Sequence, residues 1–402
     1  MKSTPVPVIM YHSIGVVDEK WISRHLTYQW ELFQQHLEWL RRMKFHTISL
    51  QQLYDYKKSN INPPPNPVGL TFDDGYLDIW VFAYPFLKRY GFKGTLFVNP
   101  EFVSPLKTVR KNLDDVWQGS VTLEDLETKG FLSWEEIKIM EREGIMDIQS
   151  HSMTHTWYFC QDEIIDFHHP GNNKYPWLFW NAFPERKHYF LDENQEHLVP
   201  YGTPVYRYGR SLGIRRYFED EDLTNHLVSF VNKRGDDFFK RQDWRSELFE
   251  QIKFYKSTRE SKGRHETDEE QRRRFEYELK ESKRILEEKL AKKISFLCWP
   301  GGAKTALSIK ISHEAGYLAS TYPSTRTVGK NIFQEDVSKL YRIGPPNVRF
   351  KDRMYHLGGL ALILQIFSFR GYIPAKVIQK AVRLFYRFAI VLGIKRNGVP
   401  IH

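Results

Sequence analysis

Two short clusters carry side chains suited to hydrolysis. In Thr71-Phe72-Asp73-Asp74-Gly75-Tyr76 an apolar run ends in paired carboxylates and a glycine, which permits a tight turn out of a strand. Adjacent residues at a strand end point in different directions, so one carboxylate can bind a cation while the other stays free to take a proton. The second cluster is His151-Ser152-Met153-Thr154-His155. Two imidazoles at that spacing on a strand-to-helix turn can face one cation, and with a carboxylate they make the three-ligand, open-position set of a catalytic Zn2+ site. Taken singly, Asp-Asp-Gly is also turn or cap chemistry, and a lone histidine pair is more often structural.

Seven apolar, β-rich runs can position these clusters: Val6 to His12, Val68 to Phe72, Gly94 to Asn99, Met146 to His151, Ile294 to Pro300, Tyr317 to Tyr322 and Leu340 to Gly344. Helical periodicity lies between them, as in Phe33, Leu37, Leu40 and Met43, and Ser133 with Glu136 three residues on is a capping-box signature. Alternating β and α units predict a parallel sheet, doubly wound or closed into a barrel, with function at the carboxyl ends of its strands. Both clusters fall at such ends. Residues 156–293 are too long for one crossover. Their first half is rich in aromatics, and Glu266 to Lys293 reads as a charged helix with Phe275, Leu279, Leu286 and Leu290 on one stripe and Arg272 to Arg274 on a solvated face.

The 402 residues, 41% of them hydrophobic, supply a sizeable core and exclude a disordered or collagen-like chain. Two cysteines, Cys160 and Cys298, make no disulfide framework and suit a reducing compartment. The opening MKSTPVPVIMYHSI lacks an apolar stretch of signal-sequence length, so the expected location is cytoplasmic. The net charge of +10 is concentrated: from Arg349 to His402 there are ten basic residues, Lys395 and Arg396 among them, and one acidic, Asp352, while the rest is nearly neutral.

In this order the two clusters resemble those of the NodB-homology polysaccharide deacetylases, carbohydrate esterase family four. The likeness extends in layout over about residues 6–345 and includes MYHSI at the first strand, FQQHLEWLRRMKFHTISL, and SKRILEEKLAKKISFLCWPGG. It implies a deformed (β/α)7 barrel at 1–345, interrupted by 156–293 as a large insertion between the fourth and fifth strands, whose aromatics read as a substrate lid. Residue by residue it makes Asp73 the catalytic base and Asp74, His151 and His155 the ligands of one divalent ion, Zn2+ first, with Ni2+, Co2+ or Mn2+ as alternatives. The backbone N–H of Tyr76 would stabilise the oxyanion, and Trp299, Pro300 and Gly301 would belong to the substrate-facing third motif.

The chain departs from the pattern at two points. The arginine that the family carries just before Pro-x-Gly, to orient the catalytic aspartate, is absent from Phe296-Leu297-Cys298-Trp299-Pro300-Gly301. Arg342 on the last strand is the candidate substitute. No leucine-histidine pair supplies the general acid there either, which leaves His12 at the end of the first strand, with His356, His168 and His169 as weaker candidates. Sugar-stacking or lid roles fall to Trp157, His168, His169 and Tyr201, because a pyranose C–H face packs on aromatic rings.

Beyond residue 345 lies a basic amphipathic helical tail, 346–402. Lys376, Lys380, Arg383 and Arg387 share one helical face, and Val377, Ile378, Ala381, Val382, Leu384, Phe385 and Phe388 lie opposite. That is the composition of an interfacial membrane helix; the alternative is a helix docked on the barrel. The aliphatic surface argues against a nucleic-acid partner. The expected protein is a metal-dependent de-N-acylase of an aminosugar in an envelope glycan or lipid-linked precursor, peripheral at the inner face of the membrane. Its rivals are a deformylase or amidase on a lipid-linked aminosugar and a catalytically silent carbohydrate-binding protein of the same fold.

Overall fold

Strands buried on both faces need continuous apolar runs, and the seven expected runs all form strands in the computed structural model, which describes residues 4–18, 21, 24–59, 61–235, 237–325, 329–394 and 398–400. They are β1 (Val8–Tyr11), β2 (Pro67–Phe72), β3 (Gly94–Val98), β4 (Met146–Ser150), β5 (Phe296–Leu297), β6 (Ala319–Pro323) and β7 (Lys339–Arg342). All neighbours pair in parallel in chain order, with Tyr11 opposite Phe72, Val98 opposite Ser150, and Phe296 opposite Ala319. The sheet closes on itself: Ile9 bridges Ile343 in parallel, Met10 N–H donates to Ile343 O at 2.9 Å, and Ile343 N–H donates to Val8 O at 2.9 Å. The architecture is therefore a barrel rather than a doubly wound sheet. Its weakest seam is β4 to β5, where only Leu297 is in register with Ser150. There β5 is shorter than the expected Ile294 to Pro300, and beyond it Gly301 and Gly302, at φ 53° and 75°, turn the chain.

Phe33, His36, Leu37 and Leu40 of the Trp30–Arg42 helix are buried; Met43, expected on that stripe, caps the helix end and stays partly exposed. Ser133 and Glu136 form the expected capping box. The chain divides into two compact units. One comprises Met1–Ser152, Ser282–Gly302 and Gly316–His402, the barrel together with the tail; the other comprises Met153–Glu281 and Ala303–Ala315. The second unit has its own core of Phe167, Leu223, Leu227, Val231, Phe238 and Leu248, and a ribbon pairing Trp157–Phe167 with Pro204–Arg210. Glu266 to Lys293 is two helical segments, Asp268–Glu276 and Ser282–Leu290, joined by a wide turn. Arg274 is not on a solvated face: its guanidinium pairs with buried Glu266 and donates to Ser211 O and Ile214 O.

Within the barrel unit, Asn347–Phe350 pairs antiparallel with Arg353–His356, which pairs with Val399–Pro400, and helices Gly359–Phe369 and Ile373–Val391 follow. Lys395, Arg396 and His402 lie outside the described residues. A buried polar network secures the start of the tail. His36 Nε2–H donates to Leu357 O at 2.9 Å, so its Nδ1 accepts from the Tyr11 hydroxyl at 2.7 Å, and the Tyr28 hydroxyl donates to Leu357 O. Among the described residues no helix is long and apolar enough to cross a membrane.

Burial lowers the His36 pKa from 6.5 to about 4. Folded His36 thus holds fewer protons than unfolded His36 between these values, and its contribution to stability, present above 6.5, is lost as pH falls through that window. Urea unfolding of His36→Gln, which cannot titrate, is expected to show a shallower decline of stability in this window than the wild type; parallel declines would refute the assignment.

Candidate active site

The site is built at the carboxyl ends of the barrel strands. Asp73 continues β2, its N–H donating to Tyr11 O at the end of β1 at 3.0 Å, and the residue is 2% exposed. A carboxylate so buried requires compensation. Arg342 at the end of β7 supplies it with two parallel bonds, Nη1 to Oδ1 at 2.6 Å and Nη2 to Oδ2 at 2.8 Å. The same guanidinium reaches Thr71 Oγ1 at 3.2 Å and Cys298 Sγ at 2.9 Å. Burial works against ionisation of Asp73, but the charge and hydrogen bonds of Arg342 outweigh it and hold the carboxyl below its usual range. The arginine missing before Pro300 is thus replaced from another strand. His12, one residue past β1, places Nε2 3.9 Å from Asp73 Oδ2 and is partly open to solvent.

Asp74 turns away from Asp73 because its backbone is left-handed, at φ 74°, and Gly75 follows at φ 74°. Its Oδ1 lies 3.1 Å from His151 Nε2. His151 Nδ1 lies 2.9 Å from Cys298 O, which can only accept, so Nδ1 carries a proton and Nε2 faces the carboxylate. Such an outer hydrogen bond is what orients a metal-ligating imidazole. His155 lies four residues on, on the same turn, and one donor atom each from Asp74, His151 and His155 falls within 4.8 Å of the others. Two imidazole nitrogens and one carboxylate oxygen suit a borderline divalent cation. Asp73, His151 and Cys298 form a second cluster by distance. There Arg342 already contacts both Asp73 and Cys298, and its charge would repel a cation.

The turn carrying the histidines is strained, with Ser152 at φ 64° and His155 at φ 47°. On the barrel side, the Asn99 side chain donates to His151 O and Ser152 O. Within the second unit, the buried carboxylate of Glu278 accepts from Met153 N–H at 3.2 Å, Thr154 N–H at 3.0 Å and the Thr154 hydroxyl, while Lys187 Nζ donates to Thr154 O at 3.1 Å. The sequence reading missed Glu278, Lys187, Asn99 and the position of Cys298. Glu278 was detectable, since it is a charge on the same helical stripe as Phe275 and Leu279.

Tyr76 is held by ladder bonds on either side, from Leu77 N–H to Gly130 O and from Leu132 N–H to Gly75 O. Trp299 is 2% exposed, and Pro300 is buried beside exposed Gly301. Trp157 packs edge-on against His155 at 5.8 Å, and the Arg210 guanidinium lies over the Trp157 ring at 4.3 Å. His168 does not suit the substrate role expected of it, whereas His169 is half-buried. His168 is fully buried, bonded from Nε2 to Glu196 O and packed on Phe179 and Tyr201, and His169 is packed against Trp244 and Phe239. Tyr201 is likewise committed to Glu196. His356 is half-buried and stacked on Tyr28.

Residues 42–203 match the family model described as polysaccharide deacetylase. YxkH of Bacillus subtilis (strain 168), whose name places it with the polysaccharide deacetylases, is 28% identical over 154 residues, which are 38% of this chain and 44% of that protein. The chain therefore spans under half the length of this curated relative. Among solved structures, a de-N-acetylase from Aggregatibacter actinomycetemcomitans is similar at 16% identity and a TM-score of 0.49, covering 84% of this chain and 94% of that one. The deacetylase domain of BpsB from Bordetella bronchiseptica is similar at 17% identity and a TM-score of 0.46, covering 85% and 95%.

Replacing Arg342 by Met leaves the buried Asp73 carboxylate without its cation, at a cost of roughly 3–5 kcal/mol near neutral pH. Asp73 then titrates higher, so the deficit should shrink as pH falls and the carboxyl is protonated. Urea unfolding at several pH values checks this, and a deficit independent of pH would show that Arg342 acts through packing alone.

Proposed function

We propose that this chain, whose residues 42–203 match the polysaccharide deacetylase family model, hydrolyses the N-acyl group, in the first place N-acetyl, of an aminosugar in an envelope glycan or lipid-linked precursor. The observation that carries the reading is the convergence of Asp74, His151 and His155 beside an Asp73 that Arg342 keeps ionised. A divalent cation held by those three residues, Zn2+ by ligand type, would polarise the acyl carbonyl and lower the pKa of a water towards about 7.

The chain's own residues supply the rest. Asp73 takes the proton of the attacking water, and because Arg342 contacts both of its oxygens the carboxylate is fixed in orientation as well as in charge. The depressed pKa keeps this base unprotonated into mildly acidic solution. The Tyr76 N–H, on a peptide fixed by its ladder neighbours, serves the oxyanion. As the C–N bond breaks, His12 gives a proton to the leaving amine, yielding a free amino sugar and a carboxylate. Trp157, beside His155, offers the ring on which a sugar face stacks. Both cysteines are free thiols, in keeping with a cytoplasmic location.

Release of acetate from N-acetylated glucosamine oligomers and lipid-linked aminosugars tests the proposal. Asp73→Asn is expected to retain metal by elemental analysis yet lose at least a hundredfold in kcat, since an amide cannot accept the proton. His151→Ala should lose both metal and turnover. Wild-type turnover in Asp73→Asn, or undiminished metal in His151→Ala, would overturn these assignments.

A further inference from the structure

The Ile373–Val391 helix contains no acidic residue, and its surface divides into roughly thirds by the 3.6-residue turn. One third docks on the barrel unit through Ala375, Val382, Tyr386, Ala389 and Ile390, with Tyr386 and Ile390 packed on Val348, Tyr355 and Leu357. The next third carries Lys376, Lys380, Arg383 and Arg387, all exposed. The last carries Ile373, Val377, Leu384, Phe385, Phe388 and Val391, each 61–71% exposed. A groove of about 1050 Å3, lined by Leu32, Trp39, Leu364, Val382, Phe385 and Ile394, opens alongside. Large apolar side chains do not remain in water on this scale unless something covers them.

We propose that this helix is a docking surface for an anionic lipid leaflet. The cations adjoin the apolar stripe, so with Leu384 and Phe388 immersed in the acyl region, Lys380, Arg383 and Arg387 reach the headgroup plane, where long basic side chains sit at an interface. A second copy of the chain fits less well. Pairing two such stripes would bring two rows of cations together with no acid on either helix to offset them. A polyanion without hydrocarbon would leave the apolar stripe uncovered.

Co-sedimentation of the full-length protein with phosphatidylcholine vesicles, with and without phosphatidylserine, tests the inference. It needs no turnover, so its failure is separate from failure of the catalytic reading. Binding is expected only to vesicles containing phosphatidylserine, weakening at high salt as surface charge is screened. Reversing Lys380, Arg383 and Arg387 to Glu should weaken it on the order of a hundredfold or more, and Leu384→Asp with Phe388→Asp should abolish it. These exposed positions should leave circular dichroism and turnover of a soluble substrate unchanged, which guards against misfolding. Three results would each overturn the proposal: no binding to phosphatidylserine vesicles at low salt, wild-type binding by the double aspartate variant, or a stable lipid-free dimer by light scattering that the double aspartate variant dissociates.

Discussion

Two charges taken out of water at the end of a barrel strand lose several kcal/mol of hydration each, and only close, bidentate geometry returns it. Asp73 and Arg342 meet that condition at 2.6 and 2.8 Å, and the rest of the site is arranged around them. The pair fixes where β2 and β7 end relative to each other, leaves Asp74 as the carboxylate that faces His151, and makes the Asp73–His151–Cys298 cluster unsuitable for a cation. It also accounts for Cys298. A second guanidinium on β5 would crowd the same carboxylate, whereas a thiol is small enough to sit 3.4 Å from Asp73 Oδ2 and to accept from Arg342. In a closed barrel every strand end approaches the same rim, so the compensating cation can come from a different strand with little change elsewhere.

The histidine turn follows a different logic. Left-handed backbone at Ser152 and His155 is unfavourable for residues with a Cβ and persists only where the surroundings over-determine it. Asn99 constrains the carbonyls of His151 and Ser152, and Glu278 with Lys187 constrains the peptides of Met153 and Thr154. A helical conformation there would satisfy the same backbone groups internally, so it is the non-helical turn that depends on these side chains for partners.

Much of this was legible in the amino-acid sequence, for reasons that also explain what was not. Seven apolar runs gave seven strands because burial on both faces leaves an unmistakable pattern. Barrel closure was expected from the family resemblance and not from residue pattern, since it rests on backbone bonds between Met10, Val8 and Ile343 that no side-chain pattern encodes. Asp73, Asp74, His151 and His155 stood out because rare residue types clustered at strand ends. His36 did not, because a histidine on an apolar stripe looks ordinary until its buried partners are seen, and Glu278 was lost among the other charges of its helix although its place on the apolar stripe marked it. His168 was misread in the opposite sense: a polar ring in an aromatic segment suggested a ligand surface, but it is used to build the second unit's interior.

The tail inverts the usual amphipathic arrangement. A surface helix normally turns its largest apolar residues towards the core, yet the Ile373–Val391 helix docks with alanines and half-buried side chains and leaves Ile373, Leu384 and Phe388 outward. Packing and solvation alone would favour the opposite rotation, burying the phenylalanines and exposing Gln379. The polar network of His36, Tyr28 and Leu357 holds the preceding segment, and Tyr386 and Ile390 hold the helix in the observed rotation. Where local packing runs against the hydrophobic pattern, the pattern answers to something outside the folded chain. The row of cations beside the exposed stripe specifies the sign of its charge.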